Sequence, residues 1–456
     1  MSPAINKRTA LAVTAAASFL TPFAATSVNI ALPSIGREMR MDAVLLSWVP
    51  TAYLLAAAMF LVPFGRIADL HGRKKIFTYG MCVYTAAALL SAAAQSAFSL
   101  IVFRALQGFG ASMIFGTSIA IVTSIFDPGE RGRALGINVA TVYIGQSVGP
   151  FLGGVITEHL GWRFIFLLMF PLGIFIIIAV HTALKQEWAG AKGERFDWPG
   201  FLFYSPSLVA VIYGFSHLPS MTGGLLIAAG TFGLLVFTLW ELRQENPILN
   251  MNLFRGNRVF ALSNIAALIN YSATFGVSFL LSLFLQYIKG FTPVHAGSLL
   301  VFQPAVQAVV SPFAGRLSDR TEPQVVASIG MAFTAAGLLL LVFLGEGTGL
   351  YYVVAALILL GFGMALFSSP NTNAIMSSVD KKSYGVASGI TASMRVIGQT
   401  LSMGIATVIF AVYIGGVEIG SASPPVFIWT VRLAFGVFTA LCVAGIFASL
   451  TRGKLR

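Results

Sequence analysis

The sequence predicts an all-α polytopic membrane protein of fourteen transmembrane helices. Two six-helix halves are related by a parallel repeat, and two further helices are inserted between them. Three observations predict this fold class: an apolar composition, apolar stretches long enough to span a bilayer, and short sequence matches that recur at a nearly constant offset. Of 456 residues, 57% are hydrophobic and only 10% are charged. Soluble domains carry about 25% charged residues, so a soluble fold could not bury this much apolar surface.

Apolar stretches along the chain define the individual helices. A helix needs about 20 apolar residues to cross the hydrocarbon core of a bilayer. Such stretches predict helices 1 to 14 at residues 9–33, 45–64, 77–95, 98–125, 134–156, 164–184, 199–216, 223–241, 259–287, 296–314, 325–344, 350–376, 386–414 and 427–450. Because the number of crossings is even, the chain returns to the side on which it starts.

The net charge of +12 is distributed unequally between the two sides. With a cytoplasmic N-terminus, the inside segments carry 21 Lys and Arg residues, whereas the outside loops carry only Arg37, Arg40, Arg163 and Lys289. This asymmetry is the one expected of a helical membrane protein. The excess charge therefore predicts a multi-pass protein of the cell membrane with both termini in the cytoplasm, and nucleic acid is not an expected partner.

Three pairs of short segments recur along the chain. GRIAD at 65 recurs as GRLSD at 315, GFG at 108 recurs at 361, and IGQS at 144 recurs as IGQT at 397, with offsets of 250, 253 and 253. The shared order and spacing make chance a poor explanation. Helices 1 to 6 thus correspond to helices 9 to 14, as in a parallel repeat. The predicted divisions are a first half at 1–184, an insertion with helices 7 and 8 and their cytoplasmic linkers at 185–258, and a second half at 259–456. Helices 7 and 8 are expected at the periphery.

A hydrophilic segment, GRIADLHGRKK, interrupts the apolar chain at residues 65–75. It is predicted to be a loop between helices 2 and 3, in which Gly65 and Gly72 permit a tight reversal of the backbone. In the simplest interpretation, Lys74 and Lys75 only fix the topology.

Arg104 lies inside predicted helix 4, and Arg395 is more deeply placed in helix 13. A charge within the hydrocarbon is costly and suggests function. Alternatively, Arg104 hydrogen-bonds carbonyl groups of a neighbouring helix. The counterpart of Arg395 at the offset of 253 is Val142, so this charge also departs from the repeat.

Further polar and aromatic side chains in the predicted helices are candidates for a central, mid-membrane cavity at the interface between the two repeated halves. The alternative is that they make interhelical contacts, which is the commoner role of intramembrane Asn and Gln. The candidates are Gln146, Tyr271, Gln286, Gln303, Asn371, Asn373, Arg395 and Gln399.

Helix 5 carries Gly145, Gly149 and Gly153 at a spacing of four residues. This spacing creates one smooth face on which another backbone can approach closely. Pro150 removes a backbone donor and is expected to bend the helix.

The chain resembles the major facilitator superfamily, and specifically its fourteen-helix drug:proton antiporter branch. The resemblance covers nearly the whole chain. The matching segments are VNIALPSI (28–35), LSWVPTAYLL (46–55), GRIADLHGRKK (65–75), RALQGFGAS (104–112), GQSVGPFLGG (145–154), GWRFIF (161–166), LQYIKGFTPVHAG (285–297) and GVASGITASMRVIGQT (385–400).

The resemblance implies roles for three groups of residues. A cytoplasmic conformational latch, engaged when the protein faces outward, would comprise Gly65, Asp69, Gly72, Arg73 and, in the second half, Asp319. A proton-relay motif would comprise Arg104, Gln107 and Gly108. An antiporter motif, which joins the halves near the outer face and is associated with export, would comprise Gly145, Gly149, Pro150, Gly153 and Gly154.

One departure from the family pattern concerns charge. The family usually has an acid in helix 1 where this chain has Ala24, and none of the sixteen acids lies deep in a predicted helix. A buried carboxylate both carries protons and attracts cations. Its absence favours a neutral, zwitterionic or anionic substrate, and moves proton coupling toward Asp69, Glu158 or His159.

Enzyme signatures are missing: the sequence contains neither a G-x-x-x-x-G-K-[ST] loop nor an H-E-x-x-H helix, so no cofactor and no metal are expected. The predicted function is secondary active export of drugs or amphipathic small molecules by proton antiport with alternating access. The expected partners are the small-molecule substrate, protons and the lipid bilayer, and the protein is expected to be a monomer. Two alternatives stay open: an uncoupled facilitator or importer of a neutral or anionic metabolite, and a membrane sensor or scramblase on the same scaffold.

Overall fold

The computed structural model of the protein describes residues 7–126, 128–184, 186–191, 193–380, 384–415, 419 and 423–453. Six of the Lys and Arg residues that the sequence places on the cytoplasmic side, Lys185, Lys192, Lys381, Lys382, Lys454 and Arg456, lie outside this range. Within it, fourteen helices are long and apolar enough to span a membrane. The predicted number of spans is therefore confirmed.

Twelve of the spans are single helices and two are segmented. The single helices are helix 1 (Lys7–Met39), helix 2 (Ala43–His71), helix 3 (Arg73–Ala92), helix 4 (Ala97–Ile125), helix 5 (Pro128–His159), helix 6 (Arg163–Ala183), helix 7 (Trp198–Ser216), helix 8 (Met221–Glu241), helix 11 (Pro323–Val342), helix 12 (Leu350–Ser377), helix 13 (Tyr384–Tyr413) and helix 14 (Pro424–Leu450). Helix 9 is built from Arg258–Thr274, Gly276–Leu283 and a π-helical turn at Phe284–Ile288, and helix 10 from Pro293–Leu300 and Phe302–Arg320. A short helix, Asn252–Arg255, precedes helix 9.

Equivalent helices pack in equivalent ways in the two halves. Helix 1 packs on helix 5 as helix 9 does on helix 13, and helix 4 packs on helices 2 and 3 as helix 12 does on helices 10 and 11. Two glycine pairs reproduce one contact. A Cβ on Gly80 would lie 2.9 Å from the Gly110 carbonyl oxygen, and a Cβ on Gly330 would lie 2.7 Å from that of Gly363. The repeat is therefore one of packing as well as of sequence.

The spans alternate in direction, so helix 1 begins and helix 14 ends on the same side of the molecule. We call this side the terminal face and the opposite side the far face. Helices 2, 4, 6 and 8 run in opposite directions to their odd-numbered neighbours, which places the junction of helices 2 and 3 on the terminal face.

Helices 7 and 8 pack on each other, but only helix 8 is peripheral as expected. Helix 7 lies against one helix of each half, helix 2 and helix 13. The Tyr204 hydroxyl donates to the Ala58 carbonyl oxygen at 2.9 Å, and the Ser205 hydroxyl to that of Met59 at 2.8 Å. The helix is held here because its side chains reach carbonyl groups of helix 2.

Candidate functional site

Hydrogen bonds join the two halves at the far face. The Ser282 hydroxyl donates to the Asn29 carbonyl oxygen at 2.9 Å, and the Gln286 amide to that of Ile30 at 2.9 Å. Nearby, the Val294 amide at the start of helix 10 donates to the Glu158 carboxylate at 3.0 Å. These contacts run between helices 1 and 9 and between helices 5 and 10, so they close the space between the halves on this side.

The terminal face holds a cavity with a volume of about 350 Å³. Its walls come from helices 2 and 4 of the first half, helix 13 of the second half and residues 245–250, which follow helix 8. Ligand cavities for drug-sized molecules have volumes of about 300–1,000 Å³. The protein therefore has a cavity of suitable size, and Gly65, Asp69 and Arg73 of the predicted latch line it.

A smaller cavity of about 50 Å³ lies between the halves at the middle of the helices. It brings together Gln146, Arg395 and Gln399 of the predicted substrate residues, with Val142, the repeat counterpart of Arg395, in the facing helix. The described residues that line it include no carboxylate. Phe115 lines both cavities, so its ring marks the boundary between them.

The other predicted substrate residues line neither of these two cavities, and their role in substrate binding stays a prediction. Gln286 serves the far-face contact with Ile30. Asn371 accepts from Arg452 Nη1 at 2.6 Å and donates to the Ser263 carbonyl oxygen, while Asn373 donates to Asp319 at 3.2 Å. These side chains are engaged in helix packing at the ends of the helices, the interhelical role that intramembrane amides commonly have.

Tyr271 and Gln303 also lie outside the lining of both cavities. Tyr271 lies where helices 9 and 13 approach closely, since a Cβ on Gly398 would lie 3.0 Å from the Cβ of Tyr271. The Gln303 backbone lies against Gly361 of helix 12. Both positions make helix contacts within the second half, and the Tyr271 side chain also lies near Tyr143 of helix 5 in the first half.

Arg104 is only 1% exposed and lies between helices 2, 4 and 6. Its Nη1 donates to Gln107 Oε1 and its Nε to the Val49 carbonyl oxygen at 3.3 Å. The guanidinium lies over the Tyr53 ring at 4.4 Å, an attractive cation–π contact. Gly108 is needed here because a Cβ would lie 2.1 Å from the Tyr53 carbonyl oxygen. Since Tyr53 also lines the central cavity, its ring connects Arg104 to that cavity.

The two latch acids are bound in equivalent places at the terminal face. Asp69 Oδ1 accepts from Arg73 Nε at 2.8 Å, and Arg73 Nη1 donates to the Ala120 carbonyl oxygen at 3.1 Å. In the second half, Asp319 accepts directly from Asn373, the residue 253 positions after Ala120. Each acid thus ties the end of its helix to the matching position on helix 4 or helix 12.

The expected loop between helices 2 and 3 is a single residue. Helix 2 continues to His71 and helix 3 begins at Arg73, so Gly65 lies within a helix and takes no part in the reversal. Gly72 does, with φ of 119°. The expectation for Gly65 was wrong because the polar residues 65–71 continue the helix.

The linker between helices 6 and 7 folds back over this junction. The Glu187 carboxylate accepts from the backbone N–H groups of Lys74 at 2.8 Å and Lys75 at 3.1 Å, so it caps the start of helix 3. The Arg73 amide donates to the Trp188 carbonyl oxygen at 2.8 Å. Glu194 pairs with Arg66. No sequence motif indicates these contacts, because a cap supplied from a distant segment has no fixed spacing.

The antiporter motif contacts both halves with different residues. Gly145, Gly149 and Gly153 face helix 1 of the same half, where a Cβ on Gly145 would lie 2.6 Å from the Phe19 carbonyl oxygen. Contact with the other half falls to the remaining residues: Gly154 lies against Pro293, and a Cβ on Gly297 would lie 2.2 Å from the Pro150 carbonyl oxygen.

Comparison with known families decides the affiliation of the chain. The profile of the Major Facilitator Superfamily matches residues 14–403. The chain belongs to this superfamily. The family and its similar proteins identify it as a transporter and a multi-pass membrane protein.

Several curated members of the Major Facilitator Superfamily are similar to it. Riboflavin transporter RibZ of Clostridioides difficile is 29% identical over 396 residues, covering 86% of this chain and 85% of the relative. Multidrug resistance protein Stp of Mycobacterium tuberculosis is 31% identical over 393 residues, 85% of this chain and 73% of the relative. Puromycin resistance protein pur8 of Streptomyces alboniger is 31% identical over 450 residues, 95% of this chain and 89% of the relative.

A solved structure shares the superfamily fold. It is a bacterial homologue of the human lysosomal transporter Spinster, in an inward-facing and unoccupied conformation. It superposes with a TM-score of 0.71 over 99% of this chain and 97% of that one, at 14% identity. This similarity shows the common fold alone.

Proposed function

We propose that this protein exports amphipathic small molecules from the cytoplasm by proton antiport, with the two halves rocking to expose a central site to each side in turn. The observation that carries the proposal is the pairing of an open cavity at the terminal face with a hydrogen-bonded closure at the far face. A transporter that alternates access needs this arrangement in one of its states. Drug resistance in the names of two relatives supports the direction.

The orientation follows from charge. Lys and Arg concentrate at the terminal face, which supports a cytoplasmic location for both termini. The state described would then be open to the cytoplasm. In this proposal the division into a first half at 1–184, an insertion at 185–258 and a second half at 259–456 gives the moving parts and their connection, and one chain suffices for transport.

The substrate site is the central cavity together with the adjoining part of the terminal cavity beyond Phe115, because about 50 Å³ alone is too small for a drug-sized molecule. The chemistry of the central part favours a neutral, zwitterionic or anionic molecule. Arg395 is half-buried there with Gln146 and Gln399, and the described lining residues bring no carboxylate. A cation would meet an uncompensated positive charge in a region of low dielectric constant, which raises the cost of binding. A relative named for riboflavin transport is compatible with this substrate class.

Proton coupling is proposed to involve Arg104 and Glu158. Arg104, with Gln107 and Gly108, lies directly behind Tyr53 of the central cavity, so a charged group on the substrate or a hydronium ion there would be felt by its guanidinium. Glu158 holds the far-face contact with Val294 and can take up a proton from outside. Protonation would weaken that contact and favour opening toward the outside. Asp69 and Arg73 are already bonded to each other in the described state, and they line the terminal cavity opposite helix 13, where they would form the latch against the second half once this face closes.

One observation favours the second candidate, an uncoupled facilitator. The described lining of the central cavity lacks an acid that could exchange protons with substrate. Both candidates use the same cavity and differ only in whether protons move.

The test uses sealed proteoliposomes with an imposed pH gradient. Lumenal pH is followed after addition of neutral, anionic and cationic lipophiles, for the wild type, Arg104→Ala and Arg432→Ala. Arg432 is the matched control because it is another intramembrane arginine, bound to the Leu344 carbonyl oxygen away from both cavities. Substrate-dependent proton flux that only Arg104→Ala abolishes is the expected result. Solute equilibration without proton flux would establish the facilitator. If no lipophile produces either proton flux or solute equilibration, both candidate functions are rejected.

A further inference from the structure

Two buried carboxyl groups meet at the terminal end of the inserted helices. Asp197 immediately precedes helix 7 and is 8% exposed, and Glu241 is the last residue of helix 8 and is fully buried. Their oxygens converge over Gly200, where a Cβ would lie 2.3 Å from Asp197 Oδ2 and 2.6 Å from Glu241 Oε1. Glycine is required because any side chain would occupy the space between the two carboxyl groups.

The hydrogen bonds around this pair leave one oxygen without a donor. Asp197 accepts from the Gly200 amide at 3.1 Å and from Trp240 Nε1 at 3.1 Å. Glu241 Oε2 accepts from the Leu249 amide at 3.1 Å. Glu241 Oε1, however, accepts from no donor among the described residues, although it is completely buried. A buried acceptor without a donor is costly, and two adjacent carboxyl groups cannot both ionise cheaply.

We propose that Asp197 and Glu241 form a proton-binding site, in which a proton on Glu241 Oε1 is donated to Asp197 Oδ2. The proton supplies the missing donor and removes one of two like charges. Other charged groups close in sequence, Arg195, Arg243 and Glu245, are exposed, and Arg66 of helix 2 pairs with Glu194.

The site is connected to the terminal cavity. Glu241 holds Leu249, and Leu249 belongs to residues 245–250, which form part of the cavity wall. Release of the proton to solvent leaves two negative charges in contact, which drives the ends of helices 7 and 8 apart. Because the segment is bonded to Glu241, it moves with helix 8 and changes the width of the cavity opening.

The first experiment is infrared difference spectroscopy of the purified full-length protein during a pH titration. A protonated carboxyl band should titrate in the wild type, disappear in Glu241→Gln and shift its midpoint to lower pH in Asp197→Asn, where the like charge is gone. Glu245→Gln is the matched control, an exposed acid on the same segment, and should leave the band unchanged. Identical titrations of the wild type and Glu241→Gln, with both proteins eluting as the same folded species, would overturn the site.

The second experiment follows the segment itself. In a Cys82→Ser, Cys442→Ala background, an Asn246→Cys variant reacts with a water-soluble thiol reagent across the same pH range. Reactivity is expressed relative to that of free cysteine at the same pH, because the thiolate fraction itself rises with pH. This ratio should change at the infrared midpoint and become constant when Glu241→Gln is added. A change in the ratio that survives Glu241→Gln would reject the link to the cavity. Neither readout requires transport, so both are independent of the proposed export function.

Discussion

The Ser282 hydroxyl of helix 9 donates to the carbonyl oxygen of Asn29 in helix 1, the equivalent helix of the first half. Two equivalent helices can touch only where the axis that relates the halves passes between them. The axis therefore runs between helices 1 and 9 near the far face, along the membrane normal as expected for a parallel repeat. Gln286 and Ile30 bond beside it. Because these contacts close the far face, they must separate when that face opens.

The Glu158 contact joins helix 5 of the first half to helix 10 of the second half and should control opening of the far face. Glu158→Ala removes the acceptor of the Val294 amide, whereas Glu158→Gln keeps an acceptor and loses only the charge. We expect Glu158→Ala to populate a far-face-open state, seen as a longer distance between spin labels at the exposed residues Leu160 and Tyr351. The distance between the labels in Glu158→Gln should lie between the distances in Glu158→Ala and in the wild type. Equal distance distributions in all three proteins would contradict the proposed role.

Arg395 should determine the charge preference of the central cavity. Loss of a charged hydrogen-bond donor costs about 1.5–3 kcal/mol, so Arg395→Ala should weaken binding of an anionic substrate about tenfold to a hundredfold. Binding of a matched neutral molecule should change much less. Equilibrium binding to the purified protein measures both, with Arg432→Ala as the control outside the cavity. Tighter binding of a lipophilic cation than of a matched anion by the wild type would rule out the proposed substrate class.

The two glycines of the helix 2–3 segment should differ in their tolerance of alanine. Gly72→Ala forces a side chain into a left-handed backbone conformation and places its Cβ 2.4 Å from the Glu187 carboxyl carbon. Backbone strain of this kind costs about 1–3 kcal/mol. At Gly65, nothing lies within 4 Å of a new Cβ, and the site is helical. Gly65→Ala should stabilise the fold by up to about 1 kcal/mol through helix propensity. Thermal unfolding in detergent compares the stability of the two variants. An equal loss of stability in Gly72→Ala and Gly65→Ala would refute the distinction.

Glu187 should hold the linker on helix 3. Glu187→Ala removes a helix cap, which costs about 0.5–2 kcal/mol, and should expose the linker to proteolysis. The expected result is faster trypsin cleavage after Arg195 in the folded protein. Glu194→Ala is the comparison, because its pair with Arg66 is partly exposed and surface pairs contribute about 0–1 kcal/mol. If cleavage is as slow in Glu187→Ala as in the wild type, the cap does not anchor the linker.

The sequence predicts the helices and the repeat well because the bilayer constrains them. Backbone groups in the hydrocarbon must be satisfied within a helix, so each apolar stretch of sufficient length becomes a span. The glycine contact of Gly80 with Gly110 recurs as that of Gly330 with Gly363, at the repeat offsets of 250 and 253 residues. Breaks such as the one before Gly276 in helix 9 carry no comparable signal, since the residues on both sides remain apolar.

Site residues are harder to predict because the same side chain serves several purposes. Gln146 and Gln399 line the central cavity, whereas Gln286 and Asn371 bond neighbouring helices, and composition does not separate these cases. Burial at helix ends is likewise invisible in sequence. Glu241 stands beside a polar linker and still becomes fully buried, because the chain after helix 8 folds over it.

The anchoring of the linker and of helix 7 has a consequence for the motion of the whole molecule. Glu187 binds helix 3, and Tyr204 and Ser205 bind helix 2, so the inserted pair is bonded to the first half. In the proposed transport cycle, the inserted pair would then move with the first half, as an eight-helix body against a six-helix body, although helix 7 also packs on helix 13. The larger body would displace more lipid in each cycle. The viscosity and the thickness of the membrane should therefore affect the motion of the two bodies unequally.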